Sequence, residues 1–198
     1  MNPNAATLRF AVVPRSGLLT DAALVVLGTL LVAGAAQVSF HIPGTPVPIT
    51  GQTFGVVLVG SALGSVRGAA SLLLYFLSGL VLPFYAHGAR GWDEIVGATG
   101  GYILGFILAA IVTGYLAERR WDRRLSSSLG AMLTGNVLIY AVGLPWLATH
   151  AGGPTLSLDK TLQYGLYPFI LGDLVKLYLA GASLPLAWKG ISRFRGEG

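Results

Sequence analysis

Apolar residues run almost unbroken through six stretches of this chain, and the polar residues collect between them. The stretches are Leu18–Val38, Gln52–Leu63, Arg67–Leu82, Gly100–Ala117, Leu129–Ala148 and Gly165–Trp188. None alternates polar with apolar residues at period two, so the pattern predicts helices and argues against a β-barrel. Most approach the ~20 residues that a helix needs to cross a bilayer. The second is short, and only Gly64-Ser65-Val66 separates it from the third. That brevity predicts either a tight helical hairpin or a second segment that enters the membrane bent. The expected architecture is a single all-α integral membrane domain over residues 1–198, with six transmembrane helices.

Composition sharpens this picture. The 198 residues are 54% hydrophobic and only 11% charged, less than half the ~25% charge of ordinary soluble domains. There is no cysteine, which excludes disulfides, iron–sulfur clusters and thiolate zinc sites. The net charge of +5 would suggest nucleic acid only if the basic residues formed a soluble patch. They lie between apolar spans instead, so the lipid bilayer is the expected partner and nucleic acid is not. The opening residues MNPNAATLRFAVVPRSG are too polar and too broken by proline for a signal-peptide core, so insertion is expected to be led by the first span, with nothing cleaved.

The basic residues also predict orientation. Six spans place Arg9, Arg15, Arg67, Arg119, Arg120, Arg123, Arg124, Lys189, Arg193 and Arg195 on one side, ten of the 13 Lys and Arg residues. The other side has Arg90 and Lys160, and Lys176 falls inside a span. The positive-inside rule then puts both termini in the cytoplasm. On that side the run ERRWDRR (118–124) reads as a solvated charge cluster at the helix ends, in reach of anionic lipid. The outer loops SFHIPGTPVPITG, PFYAHGARGWDEIVG and THAGGPTLSLDK are rich in Gly and Pro. They suit a lid over a cavity, and equally a plain connecting role.

The last span holds the most informative residues, Asp173 and Lys176. A charge at bilayer depth costs ~2.5–3.5 kcal/mol, so the pair needs a physical reason. At i, i+3 the two side chains share a helix face, where they either tie helices together as an ion pair or bind a polar solute bearing both donors and acceptors. Pro168 suits the first turn of that helix, which would leave Asp173 and Lys176 between the outer third and the middle of the bilayer. Asn136 and Tyr140 form an i, i+4 pair on the fifth span, where Asn136 serves either as interhelical glue or as a ligand contact. Tyr102 follows Gly97-Ala98-Thr99-Gly100-Gly101, whose glycines allow close approach of backbone or ligand. Its ring supplies either an aromatic cavity wall or an interfacial anchor. In the run Pro46–Thr53, Thr50 is a plausible N-cap, and Gln52 and Thr53 can point polar groups into the bundle mouth. His41, His87 and His150 fall in separate outer loops without metal-site spacing. There is no Walker A sequence and no nucleophile elbow.

Taken together and in this order, PVPITGQT (46–53), GATGGY (97–102) and PFILGDLVK (168–176) resemble the BioY family, the biotin-binding S components of energy-coupling factor (ECF) transporters. The resemblance covers nearly the whole chain and departs from the usual pattern at Gly51, Ala98 and Leu171. It implies an S-component-like six-helix bundle in a bacterial-type inner membrane that captures biotin from outside. It further implies a transmembrane coupling protein and two ATPase subunits as partners, no enzymatic activity in this chain, and no cofactor beyond the transported ligand. Asp173 and Lys176 match the acidic and basic positions of the final motif. Asp173 suits the ureido N–H groups of biotin, and Lys176 its ureido carbonyl or its carboxylate, with Arg90 competing for the carboxylate. Thr50, Gln52, Tyr102 and Asn136 complete the expected substrate-binding set. For the docking of a coupling protein, the first helix lacks an Ala-x-x-x-Ala pair, and Thr29 and Ala33 are its nearest small residues at that spacing. Three other readings fit the residues alone: a carrier for another small vitamin or precursor, an intramembrane enzyme using Asp173 or Lys176 as acid or base, and a scaffold whose charges pair.

Overall fold

The computed structural model describes residues 7–13 and 17–194, so Arg15 and Arg195 of the basic set lie outside the described residues. Every predicted apolar stretch forms a helix. Three are long and apolar enough to cross a membrane unaided: α2 (Leu18–Gln37), α6 (Gly100–Glu118) and α7 (Leu125–His150). A fourth such stretch, Leu158–Arg193, is interrupted: α8 (Leu158–Gly165) leads through a 3-10 turn at Tyr167–Phe169 into α9 (Ile170–Phe194). The expected last span therefore begins about five residues late, because Pro168 occupies the 3-10 turn instead of the helix itself. A short α1 (Leu8–Val12) precedes α2, and α5 (Trp92–Val96) precedes α6.

Between them, α3 (Gln52–Leu63) and α4 (Ser65–Gly79) form the tight hairpin. It turns on Gly64, whose φ of 87° is open to glycine at little cost. The start of α4 is capped from another helix: Ser65 donates both its N–H and its hydroxyl to Glu118 Oε1, at 2.8 and 2.9 Å. The all-helical expectation needs one amendment. Ser39–Phe40 (β1) and Ile49–Thr50 (β2) pair as a small antiparallel ribbon, Ser39 opposite Thr50 and Phe40 opposite Ile49. Pro43, Pro46 and Pro48 bar a helix between α2 and α3, and pairing satisfies backbone groups that would otherwise go unmatched.

At the centre stands α6, with 61% of its apolar window buried against 22% for α2. It packs on α7, α3 and α4, while α9 closes against α7 and α3. Leu27, Leu30 and Leu31 of α2 and Leu171, Leu174 and Leu179 of α9 face outward, the surface expected of helices whose solvent is lipid.

One end of the bundle gathers many of the charges. Asp21 accepts from Arg67 Nε and Nη2, both at 2.8 Å, and from Arg9 at 2.7 Å. The run 118–124 at this end is less solvated than its sequence implied. Its 3-10 turn (Trp121–Arg123) buries Asp122, which accepts from Trp188 Nε1 at 2.6 Å, and the Arg123 guanidinium lies 3.6 Å over the Trp188 ring. Burial pushes the Asp122 carboxyl above its usual range, partly opposed by the Trp188 hydrogen bond. The ribbon lies at the other end, tied down where Thr45 donates to the Tyr164 carbonyl of α8 at 2.6 Å.

Candidate binding cavity beneath the ribbon

Below the ribbon, α3, α6, α7 and α9 enclose a cavity of about 60 Å³. Tyr102, Ile103, Phe106, Ile139 and Phe169 form its apolar walls, Val47, Pro48 and Thr50 its roof, and Asp173, Lys176, Gln52, Thr53, Tyr140 and Glu94 its polar groups. Ligand sites commonly measure ~300–1,000 Å³, so a vitamin-sized molecule requires this lining to part.

The helical repeat of α9 brings Lys176 Nζ to 2.9 Å from Asp173 Oδ1. Asp173 is only 4% exposed, and a buried carboxylate is costly unless paired and hydrogen-bonded. Here α7 supplies what is needed: Asn136 Nδ2 donates to Asp173 Oδ2 at 3.1 Å, and the Tyr140 hydroxyl donates to the same oxygen. Lys176 also reaches Thr53 of α3 at 3.4 Å. With about two acceptor positions per carboxylate oxygen, Oδ2 is saturated while Oδ1 retains one. The ammonium has three N–H groups and uses two. The pair therefore offers a ligand one charged acceptor and one charged donor side by side.

The remaining predicted residues separate into groups. Thr50 and Gln52 line the cavity together, Thr50 donating to Gln52 Oε1 at 2.9 Å and Gln52 donating to the Tyr75 hydroxyl at 2.5 Å. Thr50 is not the N-cap. Gly51 precedes the helix and donates to the Val38 carbonyl at 2.9 Å, so ribbon pairing keeps Thr50 in the strand. Tyr102 is a wall residue, with its hydroxyl donating to Gly165 O at 2.9 Å and its ring meeting Tyr140 edge-on. Asn136 stands behind Asp173, away from the cavity lining. Arg90 is exposed on the loop before α5 and is also outside the lining. The glycines of GATGGY admit protein instead of ligand: a Cβ on Gly100 would sit 1.6 Å from the Ile95 carbonyl oxygen, and one on Gly101 would sit 2.2 Å from Trp146 Cβ.

Sequence reasoning missed Glu94, along with Tyr85, Phe106, Ile139 and Phe169. The aromatic and aliphatic residues carried no local signal, since they look like any core residue. Glu94 did carry one, being one of few acids in the outer loops. Burial pushes the Tyr85 phenol up to about 12, so it remains a neutral donor to the Phe76 carbonyl at 2.7 Å.

A bundle of apolar helices around a small cavity, with a buried acid–base pair on its wall, defines a membrane protein built to hold a polar solute. Comparison with known proteins narrows that class. The BioY family matches residues 4–193, and the chain belongs to it. The "Biotin transporter BioY" of Rhodobacter capsulatus is 41% identical over 146 residues, covering 70% of this chain and 77% of that one. The protein of the same name from Thermotoga maritima is 37% identical over 153 residues, covering 77% and 86%. The fold is shared with the crystal structure of the S-component for biotin from an ECF-type ABC transporter, with a TM-score of 0.75 and 22% identity over 91% of this chain and 93% of that chain.

Proposed function

We propose that this chain captures biotin for import, as the substrate-binding S component of an ECF-type transporter. One observation supports this reading most: the Asp173–Lys176 pair keeps a free acceptor and a free donor beside each other on the wall of an aromatic cavity. The ureido ring of biotin has N–H donors adjacent to a carbonyl acceptor, so one N–H fits Asp173 Oδ1 while the carbonyl accepts from Lys176. The apolar thioether ring lies against Tyr102, Phe106 and Phe169, and the carboxylate tail runs toward the ribbon end. Thr50 and Gln52 shape the roof, Asn136 holds Asp173 in place, and Arg90 meets the tail only where it leaves the cavity. Access requires Val47, Pro48 and Thr50 to lift.

The same membership supports a wider reading. All six apolar helices cross a bacterial-type inner membrane, both termini face the cytoplasm, and the ribbon faces outward. The chain needs no cofactor and has no ATPase activity of its own; a transmembrane coupling protein and two ATPase subunits energise uptake. The direct test is mass spectrometry of small molecules released from the protein purified out of biotin-replete cells. Biotin at near-stoichiometric level is expected. A different retained molecule, together with no biotin binding at micromolar concentration, would overturn the reading.

A further inference from the structure

The ribbon that roofs the cavity is held at its base, along one flank and at its tip. At the base, Gly51 donates to the Val38 carbonyl at 2.9 Å. Along the flank, Ser39 Oγ lies 3.0 Å from His87 Nδ1 in the 3-10 turn Ala86–Gly88, and the His41 ring stacks on that of His87. The tip is Thr45-Pro46-Val47-Pro48, where two prolines of fixed φ stiffen the chain. Val47 is buried in one apolar cluster with the cavity walls Tyr102, Phe106 and Phe169.

Thr45 ties that tip to another helix. Its hydroxyl oxygen accepts from the Val47 N–H at 3.1 Å, which folds the turn, and its proton goes to the Tyr164 carbonyl of α8 at 2.6 Å. A hydroxyl has one proton, and the Val47 carbonyl, at 3.3 Å, is the more distant acceptor. Tyr164 can accept because α8 ends there: the last four carbonyls of a helix have no partner within it. The next carbonyl, that of Gly165, accepts from the wall hydroxyl of Tyr102 at 2.9 Å. The end of α8 therefore joins the roof to the cavity wall, and Thr45 supplies the roof's half of the joint.

We propose that Thr45 is a positioning residue that latches the roof to α8 and sets how fast the ligand enters and leaves, not how tightly it is held. Thr45 lies outside the cavity lining, and its bond joins two protein groups. The latch therefore favours the closed roof equally with the cavity empty or filled, and its loss raises the open fraction of both states. One neutral hydrogen bond corresponds to a change of about two- to tenfold in that fraction. Entry and exit quicken by the same factor, so Kd stays where it was.

This inference rests on the biotin reading, and one arm of its test needs no ligand. Hydrogen–deuterium exchange of residues 41–48 in the purified, ligand-free chain reports roof opening. Thr45→Val keeps the shape and removes the hydroxyl. Thr45→Asp keeps an acceptor for the Val47 N–H but has no proton for Tyr164, and Thr45→Ser keeps both bonds. Exchange is expected to quicken about two- to tenfold in Thr45→Val and Thr45→Asp, and to match the wild type in Thr45→Ser. In the second arm, association of tritiated biotin and its chase by unlabelled biotin should both quicken by that factor in Thr45→Val, with Kd unchanged. Wild-type exchange in Thr45→Asp would mean that the turn matters and the latch does not, and would overturn the proposal. So would a Thr45→Val that only releases biotin faster, since Thr45 would then act on the bound state alone, and so would unchanged rates. If biotin does not bind the wild type, the biotin reading fails, and the exchange arm still decides whether Thr45 latches the roof.

Discussion

Replacing Lys176 by methionine keeps the length and apolar stem of the side chain and removes the ammonium. Asp173 would retain Asn136 and Tyr140 on Oδ2 but lose the partner that Oδ1 has at 2.9 Å. Breaking a fully buried ion pair by removing one member costs about 3–5 kcal/mol. Lys176 is 17% exposed at its side chain, so the pair is not fully buried and the lower end of that range is expected for stability. Binding suffers separately. A hydrogen bond to a charged group contributes about 1.5–3 kcal/mol, which converts to a loss of about ten- to a hundredfold in biotin affinity. Asp173→Asn should lose a similar factor for a different reason: its oxygen must face Asn136 and Tyr140, which turns its NH₂ toward the Lys176 ammonium. Removing both charges is not the neutral change that it can be for an isolated buried pair. An apolar residue at 173 leaves the Asn136 amide and Tyr140 hydroxyl without their acceptor, at about 1–3 kcal/mol each. The assay is equilibrium biotin binding in detergent by calorimetry, run beside a thermal melt on monodisperse protein. A well-folded Lys176→Met variant that binds biotin with unchanged affinity would refute the assignment and leave the pair a purely structural tie.

Two further outcomes are expected. The chain has no native cysteine, so a single cysteine placed at Arg193 should react with an impermeant maleimide only after permeabilisation; labelling in intact cells would reverse the proposed orientation. The Asp122 carboxyl, raised by burial from an ordinary value of 3.8, binds protons more readily folded than unfolded. Its contribution to stability is therefore greatest below that value and declines as pH rises through the folded pKa. Melting temperatures in detergent from pH 4 upward should show a decline that Asp122→Asn flattens, and identical pH profiles for the two proteins would contradict this account.

What the chain determined by itself was local. An apolar run of bilayer length becomes a helix because lipid offers no partner for an unpaired backbone group, and Asp173 and Lys176 meet because the helical repeat stacks i on i+3. The hairpin at Gly64 was one of the two readings that three residues between two apolar runs allowed, and the structure has it. Those features need only spacing. Packing decided the remainder. Asn136 and Asp173 are 37 residues apart, and they meet because α7 lies against α9. Asp122 and Trp188, 66 residues apart, meet because a charged loop folds back under the last helix. Thr50 reads as a helix cap until ribbon pairing claims its strand. Glu94 reads as a loop acid until α5 turns it onto the cavity. In each case the deciding energy is the partnering or burial of a polar group by a distant segment, and no pattern along the chain records which segment that will be.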